Sequence, residues 1–253
     1  MKKTALIIGG TGGIGYAIAK LFDEHNIQTY VTYFKNQKTA DEMKDSFKNC
    51  IPIKCDITKE NNVKNTVDQI LKNNSNIDIV VNTSTSSLKL KPFEQLTSQD
   101  FTEDINVSIM GAVNIYKHVT PVMKKNKSGL IINFLTETIV DKPPSRMSSY
   151  VTAKSGLLGL TKSLSVELKR FNVSTLAISP SFVETDLLKS FPTKFLEIMR
   201  ERNPDKNFIL PVDIAKVVLK IVNNPNKYET GKNYIFRNTR DVLRMVNDEK
   251  NCD

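Results

Sequence analysis

The sequence predicts an α/β protein, a single doubly wound domain around a seven-stranded, mostly parallel sheet. Three observations predict it. Seven runs rich in apolar and β-branched residues alternate with helix-like stretches, an order that implies a parallel sheet covered on both faces. A glycine cluster separates the first run from the first helix, where such sheets bind ligands. No repeat, low-complexity segment or linker divides the 253 residues, a length that suits one large α/β domain.

The elements follow in order. "TALIIGG", "QTYVTYF", "CIPIKCD", "IDIVVNT", "GLIINFL", "VSTLAIS" and "NYIFRN" are short apolar runs bounded by turn formers, the pattern of strands buried on both faces. Helical stretches begin near Gly13, Thr39, Glu60, Asp100, Ser148 and Val212. The last 16 residues, 238–253, are charged and lack a strand pattern, so a short helix or frayed tail is expected there.

Composition narrows the function classes. Hydrophobic content of 40% with 25% charge is ordinary for a soluble globular chain. No apolar run reaches the roughly 18 residues of a membrane span. "MKKTALIIGG" mimics a signal peptide, but "ALII" is too short for its apolar core. Three cysteines and two histidines without ligand spacing argue against a disulfide framework or a metal site, and for a reducing cytoplasm. The net charge of +9 comes mainly from 29 scattered lysines. That distribution reads as a solvated surface rather than a nucleic-acid footprint. An acidic protein or an anionic cofactor is the better partner for it.

"IIGGTGGIGYAIAKLF" supplies the anion site. Gly9, Gly13 and Gly15 form G-x-x-x-G-x-G, with Thr11, Gly12 and Ile14 between them, leading straight into an amphipathic helix. Glycines permit the tight turn and close approach of a pyrophosphate, and the helix N-terminus offers N–H donors. An NAD enzyme usually carries an acid at the end of the second strand to hold the ribose 2′-hydroxyl. Here Tyr33 stands there, followed by Lys35, Asn36 and Lys38. A missing acid with added cations favours the 2′-phosphate of NADP.

"SSYVTAKSGL" places Tyr150 four residues before Lys154, on one helix face. The spacing also occurs at Tyr16/Lys20 and Tyr228/Lys232, and composition alone predicts about one such pair. Context separates them. Tyr16 sits directly behind the glycine loop, and Gly231 breaks any helix through the third pair. Only Tyr150 follows the fifth-strand loop and opens a long helix.

With the glycine loop, "CDIT", "DINVSIMGAVNIYKHV", "YVTAKSGLLGLTKSLSVEL" and "ISPSFVETDL" in hand, residues 3–236 resemble the short-chain dehydrogenase/reductase family, most closely its 3-oxoacyl-[acyl-carrier-protein] reductases. The resemblance implies a Rossmann-type fold and NADPH-dependent reduction of a ketone to a secondary alcohol. It implies that Asp56 accepts from the adenine amino group, that Ile57 packs on the ring and that Asn106 holds a relay water. Tyr150 would protonate the carbonyl oxygen. Lys154 would hold the nicotinamide ribose and, with the nicotinamide's charge, stabilise the phenolate. Asn82, Pro180, Val183 and Thr185 would line the nicotinamide site, and 185–211 would form a substrate lid. A homotetramer or dimer packed through the helices near 100–118 and 148–170 is also implied. So is docking of an acidic carrier protein on Lys124, Lys125, Lys127, Lys169 and Arg170, near the site entrance.

Four departures stand against the family pattern. "VNTSTSS" keeps Asn82 but puts Thr83, Ser84 and Thr85 where Asn-Ala-Gly is usual, so Thr85 is expected to crowd the cofactor. For the hydroxyl after the fifth strand, counting from the strand gives Thr136, and counting back thirteen from Tyr150 gives Glu137. Thr136 is the choice. Ser181 replaces a glycine in "SPS", and "YIFRNTR" lacks the usual Asp-Gly-Gly. These changes leave two alternatives: a reductase for a different ketone of a specialised pathway, or a nucleotide-binding relative without turnover.

Overall fold

The first apolar run shows how the sheet is covered. In β1 (Thr4–Ile8), Ala5 and Ile7 enter one buried cluster while Leu6 and Ile8 enter another. That is the two-residue period of a strand with helices on both faces. The computed structural model describes residues 2–203 and 205–237, and the backbone of 244–245. All seven expected strands form. After β1 come β2 (Gln28–Tyr33), β3 (Cys50–Lys54), β4 (Ile79–Asn82), β5 (Gly129–Phe134), β6 (Val173–Pro180) and β7 (Asn233–Phe236). They pair in parallel in the order β3-β2-β1-β4-β5-β6-β7.

The C-terminal segment corrects the expectation of a tail without strand. Arg244–Met245 form an eighth strand, β8, antiparallel to β7. Two residues carry too short a pattern to read in sequence, and edge pairing uses backbone groups that any side chain allows. The rest of 238–253 lies outside the described residues.

The helices are α1 (Gly13–Glu24), α2 (Gln37–Ser46), α3 (Glu60–Asn73), α4 (Ser98–Ile105), α5 (Gly111–Asn126), α6 (Ser148–Leu168), α7 (Thr193–Arg202) and α8 (Pro211–Asn223). Ile18 and Phe22 of α1 share one cluster with Ile214 and Val218 of α8. On the other face Val67 of α3, Ile115 of α5 and Leu157 of α6 share the second. Each such fully buried side chain contributes about 1.5–3 kcal/mol. Two helices start earlier than their apolar period indicates, because caps precede it. Asn36 accepts from the Thr39 N–H at 3.4 Å before α2, and Thr97 with Asp100 makes a reciprocal capping box before α4.

Strand order reverses between β1 and β4, which opens a crevice at the carboxyl ends of those strands. The same topology corrects the placement of the basic clusters. Lys124, Lys125 and Lys127 end α5 just before β5, and Lys169 and Arg170 follow α6 just before β6. A helix between parallel strands runs back to the strands' amino edge. Both clusters therefore sit opposite the crevice, where Lys124 and Arg170 lie 5.3 and 4.8 Å from the Phe171 ring. No helix among the described residues is long and apolar enough to cross a membrane.

Candidate active site

The loop between β1 and α1 is built from backbone. Gly9 takes φ +74°, in the region that favours glycine, and its carbonyl accepts from the Gly12 N–H at 3.0 Å. A Cβ on Gly15 would lie 2.7 Å from both the Gly10 Cα and the Gly9 oxygen. A Cβ on Gly13 would lie 2.7 Å from the Thr185 methyl, so Gly13 and Thr185 face each other across the crevice. Gly12 caps α1 without any side-chain hydrogen bond, and the first turn carries no acid. The N–H groups of that turn therefore have no intrahelical partner, an arrangement suited to an anion. Thr11 and Ile14 complete the loop, and Ile14 lines the neighbouring pocket. Tyr16 stacks obliquely on Phe47 at 5.4 Å, and Tyr228 meets Tyr234 edge-on at 5.6 Å. Both spare tyrosines are packing residues.

Beyond β2 the Tyr33 hydroxyl donates to Gln37 at 2.9 Å, Asn36 is engaged as the α2 cap, and Lys35 and Lys38 are exposed. After β3, one oxygen of Asp56 accepts from the Thr58 N–H and hydroxyl at 3.0 and 2.7 Å. Ile57 packs against Gly111, and its carbonyl accepts from Asn114 at 2.9 Å.

α6 brings the reacting pair together. Tyr150, Ala153, Lys154, Leu157 and Thr161 form one buried stripe at helical spacing. The Tyr150 hydroxyl bonds Thr136, the cap of the turn after β5. Glu137 lines the same cleft and ion-pairs with Arg237, so of the two residues counted from sequence it is Thr136 that the structure brings to the Tyr150 hydroxyl. Lys154 Nζ donates to the carbonyls of Ser84 and Phe134 at 3.1 and 3.0 Å, and lies 6.0 Å from the Tyr150 ring centroid. Burial pushes the Tyr150 phenol up to about 12, and Asp104 adds to the rise against the Thr136 hydrogen bond. Burial also holds the Lys154 ammonium down at about 8, with Asp104 opposing. Lys154 spends its protons on carbonyls, and desolvation penalises both charged forms.

Asn106 opens a π-helical turn, Asn106–Met110, that joins α4 to α5. Its carbonyl accepts from the Gly111 N–H five residues on, a distortion common at functional sites. Asn82 is placed differently from expectation. It is 1% exposed, donates to Tyr116 and Asn133 at 3.4 and 3.2 Å, and accepts from Ser84 N–H and hydroxyl at 3.1 and 2.7 Å. Its polar atoms thus serve the buried floor rather than the crevice. Thr83 donates to the Ile8 carbonyl at 2.7 Å, binding β4 to the glycine loop. Thr85 is exposed and bonds Ser86 at 3.2 Å, with a backbone outside the left-handed region.

A cleft opens in front of this group. Thr136, Tyr150, Pro180, Val183 and Thr185 line it, as do Phe182 and Phe191. These two aromatics meet at 5.6 Å and join Phe195 of α7 and Phe208 in one cluster over 182–208.

Asp104 and Arg237 escaped the sequence reading. Asp104 is 2% exposed, accepts from the Ser86 hydroxyl and acts on both Tyr150 and Lys154. Its signal was an acid on the inward stripe of α4, two residues before Asn106. Arg237 pairs with Glu137 and Asp141, about a hundred residues upstream. Its only signal was a charge ending an apolar strand.

Comparison with known proteins bears on this geometry. Residues 3–194 match the family model for short chain dehydrogenase. The 3-oxoacyl-[acyl-carrier-protein] reductase FabG of Staphylococcus epidermidis is 28% identical over 236 residues, covering 92% of this chain and 96% of that protein. Oxidoreductase UcpA of Salmonella typhimurium is 29% identical over 241 residues, covering 90% of each. The solved structure of ElxO with NADP bound superposes with a TM-score of 0.82 at 26% identity, covering 93% of this chain and 96% of that one. The match spans the glycine loop, Asn106 and the Tyr150–Lys154 helix, and the chain belongs to the short-chain dehydrogenase family, an oxidoreductase acting between alcohol and carbonyl.

Proposed function

We propose that this protein reduces a ketone to a secondary alcohol with NADPH, and that its ketone is a 3-oxoacyl thioester on an acyl carrier protein. The observation that carries the reading is the convergence of Tyr150, Thr136 and Lys154 beside an uncapped helix N-terminus and an apolar cleft. The residues fit a nicotinamide dinucleotide. Gly9, Gly13 and Gly15 let the loop pack closely on Ser84, Thr185 and Gly10, and the first-turn N–H groups of Gly13, Ile14 and Gly15 are free for an anion. Thr11 and Gly12 complete that cradle. Asp56 keeps one oxygen for the adenine amine, beside Ile57. Pro180, Val183 and Thr185 flank the nicotinamide. Asn82 acts indirectly, holding Ser84, whose carbonyl fixes Lys154.

Bound NADPH supplies the hydride that reaches the carbonyl carbon. Tyr150 gives its hydroxyl proton to the carbonyl oxygen, and Thr136 orients both oxygens. Burial keeps the phenol protonated at neutral pH, and the positive charge of the Lys154 ammonium and the nicotinamide would ease its release toward the operating pH. Lys154, with Asp104 opposing its loss of charge, supports the phenolate left behind. Asn106 and the π turn it opens lead the replacement proton inward. The segment 185–211 acts as a lid over the cleft, and the molecule assembles as a homo-oligomer through α4–α5 and α6, where Met110 and Val166 are 43% and 78% exposed.

NADP rather than NAD is favoured by Lys35 and Lys38 at a strand end without an acid, and the ElxO relative was solved with NADP. Replacing both lysines by alanine should weaken NADPH about tenfold and leave NADH within twofold; equal losses would favour no cofactor preference. The thioester follows from the FabG relatives and the apolar cleft. A different ketone is the second reading, favoured by the Phe182–Phe191 wall. The deciding assay follows NADPH oxidation with carrier-bound and free 3-oxoacyl thioesters against a ketone panel. Turnover of the thioesters supports the proposal. Normal NADPH binding with no turnover of any carbonyl would make this a non-catalytic relative.

A further inference from the structure

The cleft in front of Tyr150 is lined mainly by apolar groups, among them Leu88, Met147, Phe182, Leu187, Leu188 and Phe191. Its ionisable lining residues are Tyr150 and Glu137; no lysine, arginine or histidine lines it among the described residues. The guanidinium paired with that wall, Arg237 just after β7, is already committed. Its Nε donates to Glu137 and its Nη2 to Asp141. Glu137 is thus the one carboxylate that lines the cleft among the described residues, and its ion-pair partner Arg237 does not line it. Lys154 is 2% exposed and gives its protons to the carbonyls of Ser84 and Phe134.

We infer that the Glu137–Arg237 pair is a specificity device that rejects carboxylate-bearing ketones, so the substrate is an uncharged acyl derivative with an apolar flank. The inference rests on the proposed reductase reading and narrows its substrate class. A free oxo acid entering this cleft would lose its water and find no cation. It would also meet Glu137 at the wall, and juxtaposed like charges cost binding directly. An ester, thioester or amide of the same acid loses neither. Arg237 pairs with Glu137 and Asp141, so removing the Glu137 carboxylate takes the acid from the cleft wall and leaves the guanidinium shared only with Asp141.

Calorimetric titration, with and without NADPH, of a 3-hydroxy acid and its methyl ester bearing the same apolar tail tests this without any turnover. The wild type should bind the ester at least about tenfold more tightly than the acid. Glu137→Gln should cut that preference to under about threefold by improving the acid, whereas Arg237→Ala should leave or widen it. Equal binding of acid and ester by the wild type, no binding of the ester, or an unchanged preference in Glu137→Gln would overturn the inference. The wild-type comparison needs no variant, so a poorly folded Glu137→Gln protein still leaves the inference exposed to refutation. If no carbonyl is reduced yet the ester preference holds, the reductase reading fails and the pocket inference stands. If free 3-oxo acids are reduced as fast as their esters, the reverse is true.

Discussion

The loop after β1 and the turn after β5 cross the same edge of the sheet, and they are made of opposite materials. The first is backbone: Gly9 at positive φ, Gly15 with no room for a Cβ, and a helix start without a side-chain cap. The second is side chain: the Thr136 hydroxyl on Tyr150, Glu137 on Arg237, and Lys154 beneath. The lesson is that added volume should damage the first and lost functional groups the second. Binding and chemistry should therefore separate when each is mutated.

Tyr150→Phe should make the sharpest separation. Losing the proton donor should lower kcat by about 10³–10⁴ while NADPH affinity stays within about threefold, by steady-state assay and fluorescence titration. A loss under tenfold would erase the contrast between the two regions.

The next effect is one of stability. The folded pKa of Lys154 is depressed from 10.5 to about 8, so the folded chain releases this proton before the unfolded chain does. Stability from this group is present above the unfolded value and is lost as pH falls through about 8. The full amplitude is about 3 kcal/mol. Tyr150, raised from 10.0 to about 12, works in the opposite sense and only above its unfolded value. Between pH 8 and 10 the lysine therefore acts without it. Urea midpoints of the wild type relative to Lys154→Met should rise across that window, and parallel curves would show that the ammonium is not desolvated.

Gly15→Ala tests the backbone region. Its Cβ would meet backbone atoms that cannot rotate away, so NADPH affinity should fall about a hundredfold, near 2.7 kcal/mol, with kcat at saturation little changed. A variant that binds NADPH normally would show that the loop yields. The smallest effect is expected at Thr136→Ala, about a ten- to fiftyfold loss in kcat, with Thr136→Ser returning to within about threefold. Full activity in the alanine variant would pass the hydroxyl's role to another group.

What could be read in advance sorts along the same line. β1 and β4 were legible because strands buried on both faces are apolar throughout, and Tyr150 and Lys154 because a buried stripe at helical spacing continues to Thr161. Thr136 could be preferred to Glu137 only by counting from the strand, because the acid's partner, Arg237, lies a hundred positions away. The basic residues at the ends of α5 and α6 were expected near the entrance and lie at the opposite edge. Asn82 was expected to face the cofactor and instead closes a floor with Tyr116 and Asn133. α7 and its aromatic cluster lay hidden in a segment of mixed composition.

The sequence by itself determined the strand–helix alternation, the glycine turn and the pairing of a phenol with an ammonium on one helix. Hydrophobic period and φ preference are local properties, written within a few residues of where they act. The tertiary structure alone decided which hydroxyl lies by Tyr150, which cation pairs with Glu137 and which edge of the sheet carries each charge. Those contacts join residues up to a hundred positions apart. They follow from strand order and packing, where burial makes an unpaired polar group costly and so selects a partner from wherever the chain returns.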